Sequence, residues 1–241
     1  MTETTYREAL RQALTDSMRR DPSIVILGEE VGKYGGAYGV TKGMLDEFGE
    51  ARVRDTPISE EVIVGTAVGA AMTGLRPVAE LMYVDFVTLA MDQLVNQAAK
   101  IRYMFGGQIG VPMVLRSQGG TGRSGAAQHS QSLEAWMMHT PGLHLAMPST
   151  VTDAYHLLMH ALTLNDPVVF LEHKGLYTMK GELKPEKALS WGKAEVRRKG
   201  GDCTMVSYSR MVHFCLDAAD SLSKEGIESE VIDLRTLHPL D

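Results

Sequence analysis

The sequence has few of the features that mark several large protein classes. Its 241 residues include only two cysteines, Cys203 and Cys215. Two cysteines cannot build a disulfide framework, so we expect a protein of the reducing cytoplasm. No apolar run reaches the roughly 18 residues that suggest a membrane span. The net charge is -6 and basic residues do not cluster, which argues against a nucleic-acid-binding or membrane-surface protein.

The N-terminal residues have the composition of neither a signal peptide nor a transit peptide. Residues 4–20 alternate charged and apolar positions at helical spacing. They include Glu8 and Asp16, whereas transit peptides are poor in acidic residues. We therefore expect this segment to belong to the folded domain as a helix.

What the chain does contain is a regular alternation of apolar segments. Hydrophobic residues make up 44% of it, enough for a sizeable core. Short strand-like runs alternate with longer helical patterns, which predicts an α/β fold with a parallel sheet covered on both faces. The predicted strands are Ser23–Leu27, Pro77–Met82, Val111–Arg116, Leu143–Met147 and Pro167–Glu172. The predicted helices are Tyr6–Arg19, Glu60–Thr73, Phe86–Tyr103 and Thr152–Leu164.

The character of the sequence changes near residue 180. We expect a first α/β domain over residues 1–179, a polar linker over 180–200 that contains Pro185, and the start of a second α/β domain over 201–241. The elements predicted in that last segment are a strand at Thr204–Ser207, a helix at Met211–Lys224 and a strand at Glu230–Leu234. So few elements do not make a stable sheet, so we expect further C-terminal residues or another chain to complete this domain.

A glycine motif offers one reading of the function. Gly120, Gly122 and Gly125 fit the spacing G-x-G-x-x-G after a predicted strand, the pattern of a dinucleotide-binding loop. That site also needs a second strand ending in an acidic residue about 20 residues further on. The chain has His144–Pro148 there instead. A nicotinamide-dependent oxidoreductase using Gly120–Gly125 is therefore an alternative for which only part of the pattern is present.

Two acidic residues at the start of a predicted helix suggest a different function. Ser59 is a suitable N-cap, and Glu60 and Glu61 follow it in the first turn. Surface acids that complement the helix dipole would look the same. The helix that follows, however, consists of Val, Ile, Ala and Gly on all sides, which predicts burial. A carboxyl at its start would then be partly buried and able to hold or lend a proton.

His129 is a third candidate. It follows the glycine loop in the segment AAQHSQ, Ala126–Gln131. Histidine titrates near neutrality and can transfer protons, but a hydrogen-bonded turn histidine fits the same pattern. The small residues of Gly65–Gly74 would let another backbone approach closely, which predicts a subunit interface there.

Taken together, the segments resemble one family. They are GEEV (Gly28–Val31), YGGAYGVTKG (Tyr34–Gly43), DTPISE (Asp55–Glu60) and AAQHSQ. In this order they resemble the beta subunits of the thiamin-diphosphate-dependent component of 2-oxo-acid dehydrogenase complexes, and the resemblance runs from about Tyr6 to the last residue. The segments most similar to acetoin dehydrogenase beta subunits are Glu80–Phe86, Asn96–Gly107 and Glu172–Tyr177. Pyruvate dehydrogenase beta subunits are nearly as similar.

The resemblance implies a pyrimidine-binding domain followed by an incomplete transketolase C-terminal-like domain. It implies an α2β2 heterotetramer with thiamin diphosphate between the subunits, the alpha subunit holding the diphosphate and Mg²⁺. The assembly would cleave pyruvate or acetoin and reductively acylate the lipoyl group of an acyltransferase core.

The resemblance also implies roles for individual residues. Glu60 would hydrogen-bond the pyrimidine nitrogen N1′ and favour the imino form that removes the proton from C2 of the thiazolium. Phe86 would stack on the pyrimidine, with Met82 beside it. His129 would face the substrate and the lipoyl group, and Glu29 would support the cofactor pocket.

Two departures from the family pattern leave details open. Tyr83 and Asp85 flank Phe86 with a more polar pair than many pyruvate enzymes carry, so the oxo substrate is undecided. Some relatives bind a structural K⁺ through backbone carbonyls, which implies a site at Ala161, Leu164 and Asp166, although this stretch differs from the usual aspartate-rich one. A non-catalytic scaffold subunit of the same fold is a further alternative.

Overall fold

The computed structural model of the chain describes residues 2–122, 125–184, 186 and 189–241. The strands are β1 (Thr2–Thr5), β2 (Ile24–Gly28), β3 (Val53–Asp55), β4 (Arg76–Leu81), β5 (Val114–Gly119), β6 (His144–Ala146), β7 (Val168–His173), β8 (Lys180–Leu183), β9 (Glu195–Arg198), β10 (Cys203–Ser207), β11 (Ser229–Asp233) and β12 (Thr236–His238). The α-helices are α1 (Tyr6–Arg20), α2 (Met44–Phe48), α3 (Glu60–Met72), α4 (Ala99–Met104), α5 (Glu134–Met138), α6 (Val151–Ala161) and α7 (Met211–Ser223). Among the described helices, none is long and apolar enough to cross a membrane.

A seven-stranded sheet forms the centre of the fold, in the order β12-β6-β7-β5-β4-β2-β3. Its neighbouring strands are parallel except for β12, which pairs antiparallel with β6. Successive residues of a strand point to opposite faces: Ile26 and Val78 belong to one core cluster, and Leu27 and Ala79 to the other. Helices α1 and α6 cover the first face, and α3 and α4 cover the second. This confirms the predicted α/β class.

The longest predicted helix, Phe86–Tyr103, is wrong in detail. The structure divides this region into a 3₁₀ helix at Val84–Ala90, a π-helix at Asp92–Ala98 and the short helix α4. Tyr83, which precedes the 3₁₀ helix, has a positive φ of 70°, a conformation that cannot continue a regular helix. Such irregular helical turns re-aim side chains and occur often at functional sites.

Helix α3 begins at Glu60 as predicted, but it is not buried on all sides. Ile63 and Val64 are fully buried, whereas Val62 is 59% exposed and Met72 is 37% exposed. Ile58, just before the helix, is 81% exposed. Because apolar and small residues occur all round this helix, its sequence does not reveal which side packs on the sheet. We call the exposed side, marked by Ile58, Val62 and Met72, the α3 face.

The C-terminal residues form a smaller three-stranded sheet in the order β10-β11-β9, with α7 packed against it. Two stretches of the predicted linker are strands: β8 pairs with β1, and β9 pairs with β11. Their register is set by partners far away in sequence, which no local pattern reveals. Pro185 lies outside the described residues.

Ion pairs and the course of the C-terminal chain connect the small sheet to the large one. Strand β12 follows the last strand of the small sheet in sequence but pairs at the edge of the large one. Asp153 of α6, fully buried, pairs with Arg197 and with Arg235, the latter at 3.3 Å between Oδ1 and Nε. Arg197 also lies 2.7 Å from the buried carboxylate of Asp233.

A buried charge network crosses the middle of the large sheet. Arg116 of β5 has no exposed surface, and its guanidinium donates to Glu172 at 2.7 and 2.8 Å and to Glu80 at 2.6 Å. The hydroxyl of Tyr177 donates to Glu172 at 2.6 Å. Burial raises the pKa of Glu80, against the lowering effect of Arg116. Strands β4, β5 and β7, which are neighbours in the sheet, therefore each contribute one charged residue to a single bonded group.

Removal of the guanidinium should destabilise the fold strongly. In Arg116→Met, two buried carboxyls lose their cation, and we expect the free energy of unfolding to fall by about 3–5 kcal/mol. Urea unfolding followed by circular dichroism measures this. Arg54→Met, on an exposed side chain, is the control and should change stability by at most about 0.5 kcal/mol; equal losses in both variants would contradict this account.

Candidate active site

The candidate site lies at the carboxyl edge of the large sheet. Strand β2 is followed directly by Glu29, and β4 by Met82. Parallel strands bring these ends to one edge, where open α/β sheets bind ligands. Helix α3, which begins with Glu60, packs against the 3₁₀ helix that carries Phe86.

Glu29 and Glu60 are two carboxyls at this edge, and both are only 8% exposed. Burial raises the pKa of Glu29, and the negative charge of Glu60 raises it further. Within the described residues, Oε1 of Glu29 is buried and has no hydrogen-bond partner. Buried polar atoms are normally paired, so this oxygen suits a bound group that offers a donor.

Aromatic rings bring Phe86 and His129 together. The imidazole of His129 meets the ring of Phe86 edge-on at 5.5 Å between centroids, and that of Tyr83 at 4.6 Å. Met82 and Phe86 are both half-buried, so part of each side chain is open to a ligand. The structure thus places His129 beside the predicted pyrimidine-contacting segment.

His129 also lines a cleft of about 870 Å³. The cleft wall carries four tyrosines and the cationic side chains of Arg7, Lys42 and Lys174, and no acidic side chain of the described residues lines it. Tyr177 stacks on Tyr38 there, with ring centroids 4.6 Å apart. Glu60 is not part of this cleft wall; the two predicted catalytic residues approach the edge from different elements.

Two charged residues near His129 make contacts that the sequence did not reveal. Asp85 is 4% exposed and Lys174 is 3% exposed, and both bond the backbone near His129. Arg116 and its two carboxylate partners were also missed. A signal was present, because Glu80, Arg116 and Glu172 each lie near the end of an otherwise apolar predicted strand.

The glycine loop does not have the form of a dinucleotide site. The strand–loop–helix fingerprint requires a helix to start at the loop, but the next α-helix, α5, begins at Glu134. Gly120 has a positive φ of 84°, and a methyl group there would collide with the ring of His173. That contact accounts for the glycine at this position. Arg123 and Ser124, between the glycines, lie outside the described residues.

The carbonyls proposed for K⁺ lie at the end of α6. The carbonyl oxygen of Ala161 accepts from the amide of Leu164 at 3.3 Å, and that of Leu164 accepts from Arg76 at 2.8 Å. The side chain of Asp166 pairs with Arg102 at 2.7 Å. The K⁺ site stays a prediction. In the part of the chain that the structure describes, no group of three or more His, Cys, Asp or Glu side chains is placed to hold a metal ion.

Comparison with protein families agrees with this architecture. A family model described as transketolase, pyrimidine binding domain, matches residues 2–180, and one described as transketolase, C-terminal domain, matches residues 192–241. The first match contains Glu29, Glu60 and His129.

Several characterised proteins are similar over nearly the whole chain. The beta subunit of acetoin:2,6-dichlorophenolindophenol oxidoreductase from Cupriavidus necator is 48% identical, covering 97% of this chain and 72% of the relative. The pyruvate dehydrogenase E1 component subunit beta-2, mitochondrial, from Oryza sativa subsp. japonica is 50% identical, covering 99% of this chain and 65% of the relative. The 2-oxoisovalerate dehydrogenase subunit beta from Bacillus subtilis is 45% identical, covering 100% of this chain and 74% of the relative. The chain thus spans about two thirds to three quarters of these relatives.

Solved structures show the same fold. A split-gene transketolase in an inactive β4 tetramer superposes with a TM-score of 0.82 at 22% identity, covering 98% of this chain and 73% of the other. A transketolase from Campylobacter jejuni superposes with a TM-score of 0.77 at 15% identity, covering 100% of this chain and 37% of the other.

Replacement of Glu29 should change how stability depends on pH. Because the folded state raises the pKa of Glu29, the wild type loses stability as the pH rises from the ordinary value of 4.5 through the folded value. Glu29→Gln removes that loss. We expect its melting temperature to exceed that of the wild type at pH 8 and to match it below about pH 4. Glu50→Gln, on an exposed side chain, is the control and should show no such difference; a pH-independent effect of Glu29→Gln would contradict the assignment.

Proposed function

Because the chain belongs to the family of beta subunits of thiamin-diphosphate-dependent 2-oxo-acid and acetoin dehydrogenases, we propose that it supplies the pyrimidine-binding half of an active site shared with an alpha subunit. The assembly would cleave pyruvate or acetoin and transfer the acyl group to a lipoyl disulfide. In that transfer the lipoyl disulfide is reduced: one sulfur forms the thioester and the other becomes a thiol.

One observation supports this proposal above the others. Glu29 and Glu60 are two buried carboxyls at the carboxyl edge of the sheet, close enough for the charge of Glu60 to raise the pKa of Glu29. Like charges are expensive to bury together, and a bound group that accepts or donates protons there would offset this cost. An aminopyrimidine ring, with a ring nitrogen and an amino group, has this chemistry.

The chain's own residues would share the remaining work. Bound thiamin diphosphate would supply the electron sink for bond cleavage beside a carbonyl. Glu60 would hold or lend the proton at the ring nitrogen N1′, and Glu29 would support the pocket. Phe86 and Met82 would contact the flat face of the pyrimidine, because each is half-buried and partly open to a ligand. His129, in the cleft wall, would donate or accept a proton as the acyl group leaves for the lipoyl sulfur.

The proposed partners follow from the exposed surfaces and the family. The α3 face is apolar yet open, and large exposed apolar patches usually mark interfaces. We propose that this face is covered in an α2β2 heterotetramer, whose alpha subunit holds the diphosphate and Mg²⁺. An acyltransferase core that carries the lipoyl arm would be the second partner. A cytoplasmic location stays a prediction.

Glutamine at position 60 tests the catalytic role. Glu60→Gln cannot exchange a proton at N1′, and we expect the acylation rate of the tetramer reconstituted with its alpha subunit to fall about 10²–10⁴-fold. Reduction of free lipoamide in the presence of pyruvate or acetoin measures this rate.

Glu61→Gln is the matched control, because Glu61 lies one residue further along α3 and is exposed. It should keep near wild-type activity. Full activity of Glu60→Gln would instead favour the scaffold alternative. Tight binding of NAD by the chain without its partner would favour the oxidoreductase alternative.

Leucine at position 69 tests the interface. A Cβ at Gly69 would have no atom within 4 Å in the described part of the chain, so Gly69→Leu should leave the fold intact. In an assembly that covers the α3 face, the larger side chain overpacks the contact. We expect the tetramer to dissociate in sedimentation velocity experiments while the circular dichroism spectrum is unchanged.

Gly201→Leu is the matched control for this variant. Gly201 is exposed and also has open space around its Cβ position, but it lies far along the chain from α3. An unchanged sedimentation profile for Gly69→Leu would refute the placement of the interface.

A further inference from the structure

We infer that Asp85 and Lys174, two buried charges on different elements, position His129 for acyl transfer to the lipoyl group. This inference rests on the proposed function, since His129 is assigned to acyl transfer only there. Neither residue is proposed to touch the reacting atoms. Both would act through the backbone that carries the imidazole.

The two side chains hold three consecutive residues of the loop. Oδ1 of Asp85 accepts from the amide of Ser130 at 3.2 Å and from that of Gln131 at 3.0 Å. Nζ of Lys174 donates to the carbonyl oxygen of His129. We call Asp85 and Lys174 the loop clamp. Hydrogen bonds to ionised groups are stronger than neutral ones, so the clamp fixes the chain on the C-terminal side of the imidazole.

Among the described residues, the backbone of this loop has few other bonds, one of them from the amide of Gly120 to the carbonyl oxygen of Gln131 at 3.0 Å. His129 ends a 3₁₀ helix of three residues, Ala127–His129, whose amide contact from His129 to the carbonyl of Ala126 is 3.5 Å long. Ala126 has a positive φ of 58°, which is unfavourable for a residue with a Cβ. One short turn next to a strained residue cannot hold a side chain by itself, so external contacts have to supply the order.

The clamp also connects this loop to the predicted cofactor-contacting segment. Asp85 is the residue before Phe86, and its bonds reach across to the His129 loop. Lys174 lies with Nζ 5.3 Å from the ring centroid of Tyr83, the ring that His129 meets edge-on at 4.6 Å. Phe86, Tyr83 and His129 are thus fixed relative to one another by two buried charges.

Burial of these charges has a cost that an apolar pair would avoid. Asp85 is 4% exposed and Lys174 is 3% exposed, and desolvation of charged groups opposes folding. Among the described residues, Oδ2 of Asp85 has no hydrogen-bond partner. Such costs are common where a site requires a fixed geometry, which fits a positioning role better than a stabilising one.

Four variants separate the hydrogen bonds from the charge and the packing. Asp85→Asn keeps an acceptor oxygen for both amides, and Asp85→Ala removes it. Lys174→Arg keeps a donor, and Lys174→Met keeps the apolar stem without one. Lys199→Met, on an exposed lysine, is the control.

The first measurement divides the reaction of the reconstituted tetramer into two steps. One is exchange of the C2 proton of bound thiamin diphosphate with solvent deuterium, and the other is acylation of free lipoamide. We expect Asp85→Ala and Lys174→Met to lower lipoamide acylation about 10–100-fold and to change proton exchange less than about twofold. Asp85→Asn and Lys174→Arg should recover most of the loss. Equal loss in both steps would overturn the inference.

The second measurement needs no cofactor. The ring protons of His129 lie beside two aromatic rings, so their NMR shifts depart from those of exposed histidines, and His129→Asn identifies the signals by their loss. In the 241-residue chain we expect Lys174→Met and Asp85→Ala, but not Lys199→Met, to move these signals toward the exposed value. Unmoved signals would overturn the inference. Full proton exchange in Glu60→Gln would overturn the proposed role of Glu60 and leave this NMR result unaffected.

Discussion

The guanidinium of Arg116 is the interaction on which the geometry of the candidate site depends. It has no exposed surface and bonds carboxylates from the strands on either side. A buried cation between two anions is stable only when all three keep their positions. The strands that carry Glu80, Arg116 and Glu172 end at the candidate site, and their next residues lead to Met82, to the glycine loop and to Lys174. The network therefore lies directly beneath the residues whose relative positions matter for chemistry.

The chemistry that this edge can support depends on which side chains are shielded from solvent. Glu29 and Glu60 are almost completely buried at the ends of two different elements, and one oxygen of Glu29 is unpaired among the described residues. The cleft lined by His129 lies apart from them and carries cationic and aromatic side chains. In the proposed function, proton exchange at the cofactor ring and acyl transfer would therefore involve different side chains of this edge.

The sequence predicts those parts of the fold that are decided locally. The capping box at Thr5 and Glu8 and the apolar spacing that follows define α1, and helix α3 begins at the acidic pair as expected. The buried strands are apolar on both faces, so their type and order could be recognised. Strands β1, β8 and β12 could not, because each is short and exists only through a partner distant in sequence.

The residues of the candidate site likewise include some that the sequence indicates and others that it does not. The family motifs pointed to Glu29, Glu60, Phe86 and His129 as candidates, and Glu60 also stands at the start of a helix that the sequence predicts. Asp85 and Lys174 were overlooked in that role because their function depends on contacts across 45 or 46 residues of chain. After Glu61, helix α3 has apolar and small residues on all sides, so its sequence gave no indication of which side is exposed.

Strand β12 has a consequence for how such chains can evolve. It belongs to the C-terminal part of the sequence yet completes the edge of the large sheet, and Arg235, just before it, pairs with Asp153 of α6. Recombination that exchanged only the C-terminal part between two relatives would combine an edge strand and an arginine with an unmatched neighbour. Viable hybrids would have to inherit α6, β6 and the C-terminal part together, which places the practical crossover points well upstream of the apparent boundary near residue 180.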